Sequence, residues 1–179
     1  ETLIEKARQL IESNGLDQLT LQALAASVGI AAPSLYHHFK NKTALLAAVN
    51  VATTVALTNA VIAASDRTLQ ENLDAREALA AMLRAYRAYA HANPATYSLI
   101  FANTVAALKP DATTAEALAI PLQALMARVV GETKSLPALR GGWALVHGFV
   151  MLEIAGQFQR SGDLDQAFEL SIWTYIKGL

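Results

Sequence analysis

Side chains able to do chemistry are few in this chain, and most sit together. There are four histidines, at 37, 38, 91 and 147, and no cysteine. No histidine pair has i, i+4 spacing and no HExxH occurs, so a helical zinc site lacks its ligands. Without cysteine there is neither a thiolate nucleophile nor a disulfide. Glu153 follows His147 in the wrong order and at the wrong spacing for a di-iron Glu-x-x-His pair. The serines lack a nucleophile-elbow frame, and Gly141-Gly142 is not a phosphate loop. The sequence therefore predicts no catalytic residue, no metal and no cofactor. One stretch stands apart: PSLYHHFKNK, residues 33–42, gathers two lysines, two histidines, a tyrosine and a serine. These groups donate hydrogen bonds to phosphate oxygens, so the chemistry expected is recognition of a polyanion.

Composition restricts how that recognition works. The formal net charge is −1, so attraction to nucleic acid must come from a local patch. Hydrophobic residues make up 54 % and charged residues 16 %, which predicts a large core and a face buried against a partner. No run of 18 wholly apolar residues occurs, so no spanning helix and no membrane partner are expected. There is no signal-peptide pattern and no need for disulfides, which suits a cytoplasmic protein. A start at Glu1 rather than Met predicts a trimmed or partly ordered product, with an N-terminal arm missing.

The elements that must position the stretch are helical throughout. The spacing predicts an all-α fold of about nine helices in two domains, 1–45 and 46–179. Residues 2–14 place Leu3, Ile4, Ala7, Leu10 and Ile11 on one face, stopped by Asn14-Gly15. Thr20 caps a short helix ending at Val28-Gly29, and Pro33 suits the first turn of the next, over 33–39. A long helix runs from Lys42 or Thr43 to about Ser65, and 66–73 form a polar connection. Helices follow over 74–92, to about Ala107, and over 113–131, where Pro121 kinks the helix or starts a new one. Loops fall at 108–111 and 133–137. The last helices cover 138–160 and 164–177.

Helix, short turn with Gly29, short helix is the spacing of a helix-turn-helix. Its first helix crosses the phosphate backbone and its second enters the major groove. Ala25, Val28 and Ile30 are expected inward, with Leu35 and Phe39 anchoring the second helix. Ala31, Ala32, Pro33, Ser34, Tyr36, His37 and His38 then face outward. Thr20 contacts phosphate as well as capping. Lys42 holds a phosphate with the first amides of the long helix.

The run TLQALAASVGIAAPSLYHHFKNKTALL resembles the DNA-binding domain of the TetR family of bacterial transcriptional repressors. The matching positions are Thr20, Ala25, Gly29, Ile30, Leu35, Tyr36, His38, Phe39 and Lys42. Ala31, Pro33 and Thr43 depart from the family pattern, and base reading is expected to lean on apolar contacts of Ala31, Ala32 and Pro33 with thymine methyls. WALVHGF, 143–149, is similar to the Trp-His-Gly signature of one C-terminal subclass. The resemblance implies a homodimer whose N-terminal domain reads double-stranded operator DNA and whose larger C-terminal domain binds a small molecule. The expected function is a ligand-responsive regulator, a repressor released by a small hydrophobic effector. The alternative is a helical small-molecule-binding or scaffold protein that has kept the helix-turn-helix shape without operator binding.

Two further sites are expected in the C-terminal domain. Met82, Tyr86, Tyr89 and Phe101, with Met126, Trp143 and His147, either line an apolar ligand pocket or are plain core. Arg84 and Arg87 are expected to point outward, and His91 to face solvent at a helix end. For the dimer, Gly141, Leu145, Gly148, Leu152 and Ala155 form one stripe. Phe168, Ile172, Trp173 and Ile176 form the second, completing a four-helix interface.

Overall fold

The structure is a computed structural model and describes residues 2–71, 74–102 and 108–179. Nine α-helices and one 3-10 turn are present among the described residues, and no strand. The helices are α1 Leu3–Asn14, α2 Leu21–Ser27, α3 Ala32–Tyr36, α4 Lys42–Gln70, α5 Ala75–Ala92, α6 Pro94–Ala102, α7 Ala112–Val130, α8 Glu132–Ile154 and α9 Leu164–Lys177. Most begin on a side-chain cap. Thr20 Oγ1 accepts from Ala23 N at 2.9 Å, Asn41 Oδ1 from Ala44 N at 2.9 Å, and Asp74 Oδ1 from Arg76 N at 2.8 Å.

Three boundaries differ from the sequence expectation. Helix α4 continues to Gln70, because Asp-Arg-Thr-Leu-Gln holds no breaker and Thr68 Oγ1 returns a hydrogen bond to Ala64 O at 3.1 Å. The loop expected at 133–137 is helix. The chain turns at Gly131 instead, at φ 79°, and α8 runs through Pro137. Buried Ser135 braces that turn, donating to Glu132 O at 2.7 Å and accepting from Gln123 at 3.0 Å. Helix α8 then ends at Ile154, short of the expected 160. Gly156 takes φ 63°, its N–H bonds Glu153 O at 2.9 Å, and Gln157 N–H bonds Leu152 O at 2.9 Å, a Schellman stop. Helix α7 runs unbroken through Pro121. The part of the sixth helix expected over 103–107 lies outside the described residues.

The chain forms two compact units, Glu1–Ala56 with Asn93–Ala112, and Leu57–Ala92 with Thr113–Leu179. The expected division after residue 45 is thus drawn later, and it omits the return of 93–112 to the first unit. That unit encloses Ala7, Ile11, Leu19, Leu24, Leu35, Leu45, Val49 and Leu99. Burying each leucine contributes about 1.5–3 kcal/mol. In the second unit α5, α8 and α9 pack together around Leu79, Leu83, Val146, Val150, Phe168, Ile172 and Ile176. By length and composition α4 is apolar enough to cross a membrane, against the sequence expectation. Its Leu45, Val49, Leu57 and Val61 are at most 1 % exposed, as in a core helix of a helical protein.

Candidate nucleic-acid interface

The turn between α2 and α3 is set by Gly29 at φ 70°, where a side chain would be strained. Ile30 N–H bonds back to Ala25 O at 3.1 Å, closing the turn. Leu35 is fully buried, and its carbonyl accepts from both His38 N at 2.9 Å and Phe39 N at 2.8 Å. Helix α3 therefore ends at Tyr36, shorter than expected, and His37 and His38 stand in the following turn. Ala31, Pro33, Ser34, Tyr36, His37 and His38 are exposed, forming one outward row. Two expectations fail here. Ile30 is 40 % exposed, because its backbone folds back onto Ala25 at Gly29 and leaves the side chain outside the core. Ala32 is half-buried against the core, on the inner side of α3.

A groove of about 310 Å³ lies beside this row. Thr20, Leu21, Gln22, Tyr36, Lys40, Asn41 and Lys42 line it. Lys42 opens α4 as expected, but its half-buried ammonium donates to Leu16 O at 3.2 Å.

Two contacts that the sequence reading missed tie residues 93–112 into this unit. The Glu12 carboxylate in α1 accepts from Ala95 N at 3.0 Å, Thr96 N at 2.8 Å and Thr96 Oγ1 at 2.5 Å. It caps α6 from another helix, where negative charge is favoured. Asn50 Nδ2 in α4 donates to Leu108 O at 3.1 Å. No local pattern announces either pair, because the partners lie far apart in sequence.

In the second unit Met82, Tyr86 and Met126 are buried, and Tyr86 meets Trp143 edge-on at 4.8 Å. Tyr89, Trp143 and His147 are half-buried, and burial lowers the His147 pKa below its usual value. Phe101 belongs to the first unit, its ring 5.1 Å from Tyr97. Arg84 and His91 are exposed as expected, whereas Arg87 departs from expectation. Arg87 is 17 % exposed, pairs bidentately with Glu153 at 2.6 and 2.9 Å, and reaches Asp165 at 2.8 Å. Its guanidinium also lies 4.8 Å from the Phe168 ring centroid. His91 meets Glu153 at 3.0 Å, and Arg84 pairs with Glu169 at 2.7 Å. Burial pushes the Glu153 carboxyl up, but the hydrogen bonds from Arg87 and His91 outweigh it and hold the group below the usual value. Glu169 is lowered by its hydrogen bond from Arg84.

The expected dimer stripes are only partly outward. Phe168, Ile172 and Ile176 are at most 2 % exposed and fill the core under α9. They recur every fourth residue on the face turned to α5 and α8, so the stripe is the subunit's own. Gly141 and Gly142 make room for the Tyr175 ring, whose hydroxyl donates to Ala138 O. Leu152, at 44 %, and Ala155 are exposed, Gly148 has open space above it, and Leu145 and Trp173 are half-buried. Leu170, 69 % exposed on α9, was missed.

Comparison with known proteins places these units. The model described as bacterial regulatory proteins, tetR family, matches residues 3–49. The model described as tetracyclin repressor-like, C-terminal domain, matches residues 79–175 and carries no Trp-His-Gly designation. An uncharacterised HTH-type transcriptional regulator of Mycobacterium tuberculosis is 32 % identical over 162 residues, covering 87 % of this chain and 70 % of that one. The class D tetracycline repressor of Escherichia coli is 47 % identical over 51 residues, 28 % of this chain and 23 % of that one. A solved protein of unknown function from Rhodococcus sp. RHA1 shares the fold, with TM-score 0.78 and 23 % identity, covering 99 % of this chain and 93 % of that one.

Proposed function

The chain belongs to the TetR family of bacterial regulatory proteins, and we propose that this regulator reads its operator through an unusually apolar face. The observation that carries this reading is the outward row Ala31, Pro33, Ser34, Tyr36, His37 and His38, held on a buried Leu35. Ala31 and Pro33 offer methyl and ring carbons to thymine methyls, while Tyr36, His37 and His38 donate to phosphate or sugar. Selection from random duplex DNA followed by mobility shift tests it. A recovered site with thymines beneath Pro33, altered by Pro33 substitution, is expected. Selection that returns no preferred sequence overturns it in favour of a helical scaffold.

The effector proposed is a small, neutral or weakly charged hydrophobic molecule whose binding releases operator DNA in the bacterial cytoplasm. Met82, Tyr86, Tyr89, Met126, Trp143 and His147 supply apolar surface with a few polar tips. Arg84 and Arg87 are already paired with acids, so a strongly charged ligand would find neither guanidinium free to neutralise it. A ligand shifts the equilibrium only by its differential affinity for the two states. In a Trp173→Phe variant Trp143 is the only tryptophan, and apolar metabolites are expected to quench it. Binding restricted to strongly charged compounds overturns the assignment.

The proposed homodimer uses Leu145, Gly148 and Leu152 of α8 and Ala155 just past its end, with Leu170 and Trp173 of α9. Gly148→Arg is expected to give monomers by sedimentation at micromolar concentration. A wild-type monomer under those conditions overturns it.

A further inference from the structure

Positive charge is scarce on the helix-turn-helix. Residues 20–42 run from the cap of α2 to the first residue of α4, and they hold no arginine and no carboxylate. Lys40 and Lys42 are the fixed cations of this stretch, and His37 and His38 are its other groups able to carry positive charge. With both imidazoles neutral the stretch carries +2, and with both charged it carries +4. The two imidazoles therefore decide half of the charge it can present.

The fold holds both rings outward. Helix α3 ends at Tyr36, and Leu35 O accepts from His38 N and Phe39 N, which pins the histidine pair between buried Leu35 and half-buried Phe39. Both histidines are exposed, on the same row as Pro33, Ser34 and Tyr36. Neither side chain has a hydrogen-bond or ion-pair partner among the described residues.

The surrounding elements supply no acid to either ring. Helix α2 carries no charged residue, and the part of α4 in the first unit carries only Lys42. On α1, Glu5 pairs with Arg8 at 2.9 Å, Lys6 reaches Gln9 at 3.5 Å, and Glu12 takes the amides of Ala95 and Thr96. Asp17 stands on the Leu16–Gln18 turn. No carboxylate lines the groove beside Tyr36, Lys40 and Lys42. An anion that favours the charged imidazole over the neutral one has to come from the partner, and duplex DNA brings two rows of phosphates.

We infer that this reading head takes up protons as it binds DNA, through His37 and His38, so that its hold on a duplex tightens as the solution is acidified. This rests on the reading of the chain as a DNA-binding regulator. The proton acts as a co-ligand. Affinity rises as the pH falls through the range in which imidazoles charge, and it levels off once the free rings are already charged. Each charged ring also displaces a counterion, so acid steepens the salt dependence as well as raising the affinity.

The test uses the full chain and a duplex of random sequence, so that no operator need be known. Binding is measured against salt across about pH 8 to 5, for the wild type, for a double variant carrying His37→Gln and His38→Gln, and for His91→Gln. In the wild type, log K against log salt is expected to steepen by about 1.8 per subunit from the alkaline to the acid end, about 0.9 for each imidazole. The double variant is expected to show one salt slope throughout, and His91→Gln to keep the wild-type behaviour. A wild-type slope that does not change with pH, a change that survives in the double variant, or one lost in His91→Gln overturns the inference. If the double variant binds too weakly to measure, the imidazole NMR signals of the wild type decide. Both rings are expected to stay charged to higher pH with duplex than without it, and failure of either to do so overturns the inference. A wild-type chain that binds no duplex at any pH overturns the regulator reading itself, and the inference with it.

Discussion

The two units use charge in opposite ways. In the first, charged side chains that reach across the fold bind backbone: Glu12 takes the amides of Ala95 and Thr96, and Lys42 takes the carbonyl of Leu16. In the second, charged side chains bind one another: Arg87 with Glu153 and Asp165, Arg84 with Glu169, and His91 with Glu153. Backbone partners fix where a chain segment lies, as a surface that must match a rigid duplex requires. Side-chain pairs lock helix to helix, here α5 to α8 and α9. They also make that lock depend on protonation.

Four experiments probe this contrast, from the largest expected effect to the smallest. Leu35→Ala removes the buried anchor of α3 and is expected to cost about 4 kcal/mol in denaturant unfolding, with DNA binding abolished. A cost below that of an exposed leucine would remove α3 from the core. Glu153→Ala leaves Arg87 without its bidentate partner and is expected to cost about 3 kcal/mol. Glu12→Ala, measured alongside it, is expected to cost about 2 kcal/mol through the lost charge-assisted hydrogen bonds. A larger loss from Glu12 than from Glu153 would invert the comparison. Arg84→Ala breaks an exposed pair and is expected to cost under about 1 kcal/mol.

Protonation sharpens the same contrast. Glu153 and Glu169 are held below the usual value of 4.5 when folded. The unfolded chain therefore binds more protons as the pH falls below about 4.5. Their contribution is fully present above that value and is lost as the pH drops through the lower folded values. Unfolding followed from pH 6 to 3 is expected to show a loss of stability that Glu153→Gln reduces. An unchanged profile in that variant would mean that the acid sensitivity lies elsewhere.

Much of the reading head was legible because its signals are local. Thr20, Gly29, Leu35 and Phe39 each act on residues within a few positions, and short-range spacing reports such constraints. What went unread depends on distant partners. The Leu16 carbonyl beneath Lys42 went unseen because it lies twenty-six residues earlier, and Arg87 was expected outward because Glu153 lies sixty-six residues on. The α9 stripe Phe168, Ile172 and Ile176 was correctly seen as one apolar face, but a sequence does not say whose core such a face fills. Pro137 misled for a different reason. Proline marks an interruption of hydrogen bonding, whereas the chain turned where Gly131 took a positive φ.

The return of residues 93–112 to the first unit has a consequence for anyone who wishes to exchange reading heads between regulators. The head is not a cassette that can be cut out at one point. A fragment ending at residue 56 would lose Leu99 from its core, strand the Glu12 carboxylate, and leave the Asn50 amide without Leu108. A working graft has to carry two stretches of chain from the same donor, joined through the recipient's helices.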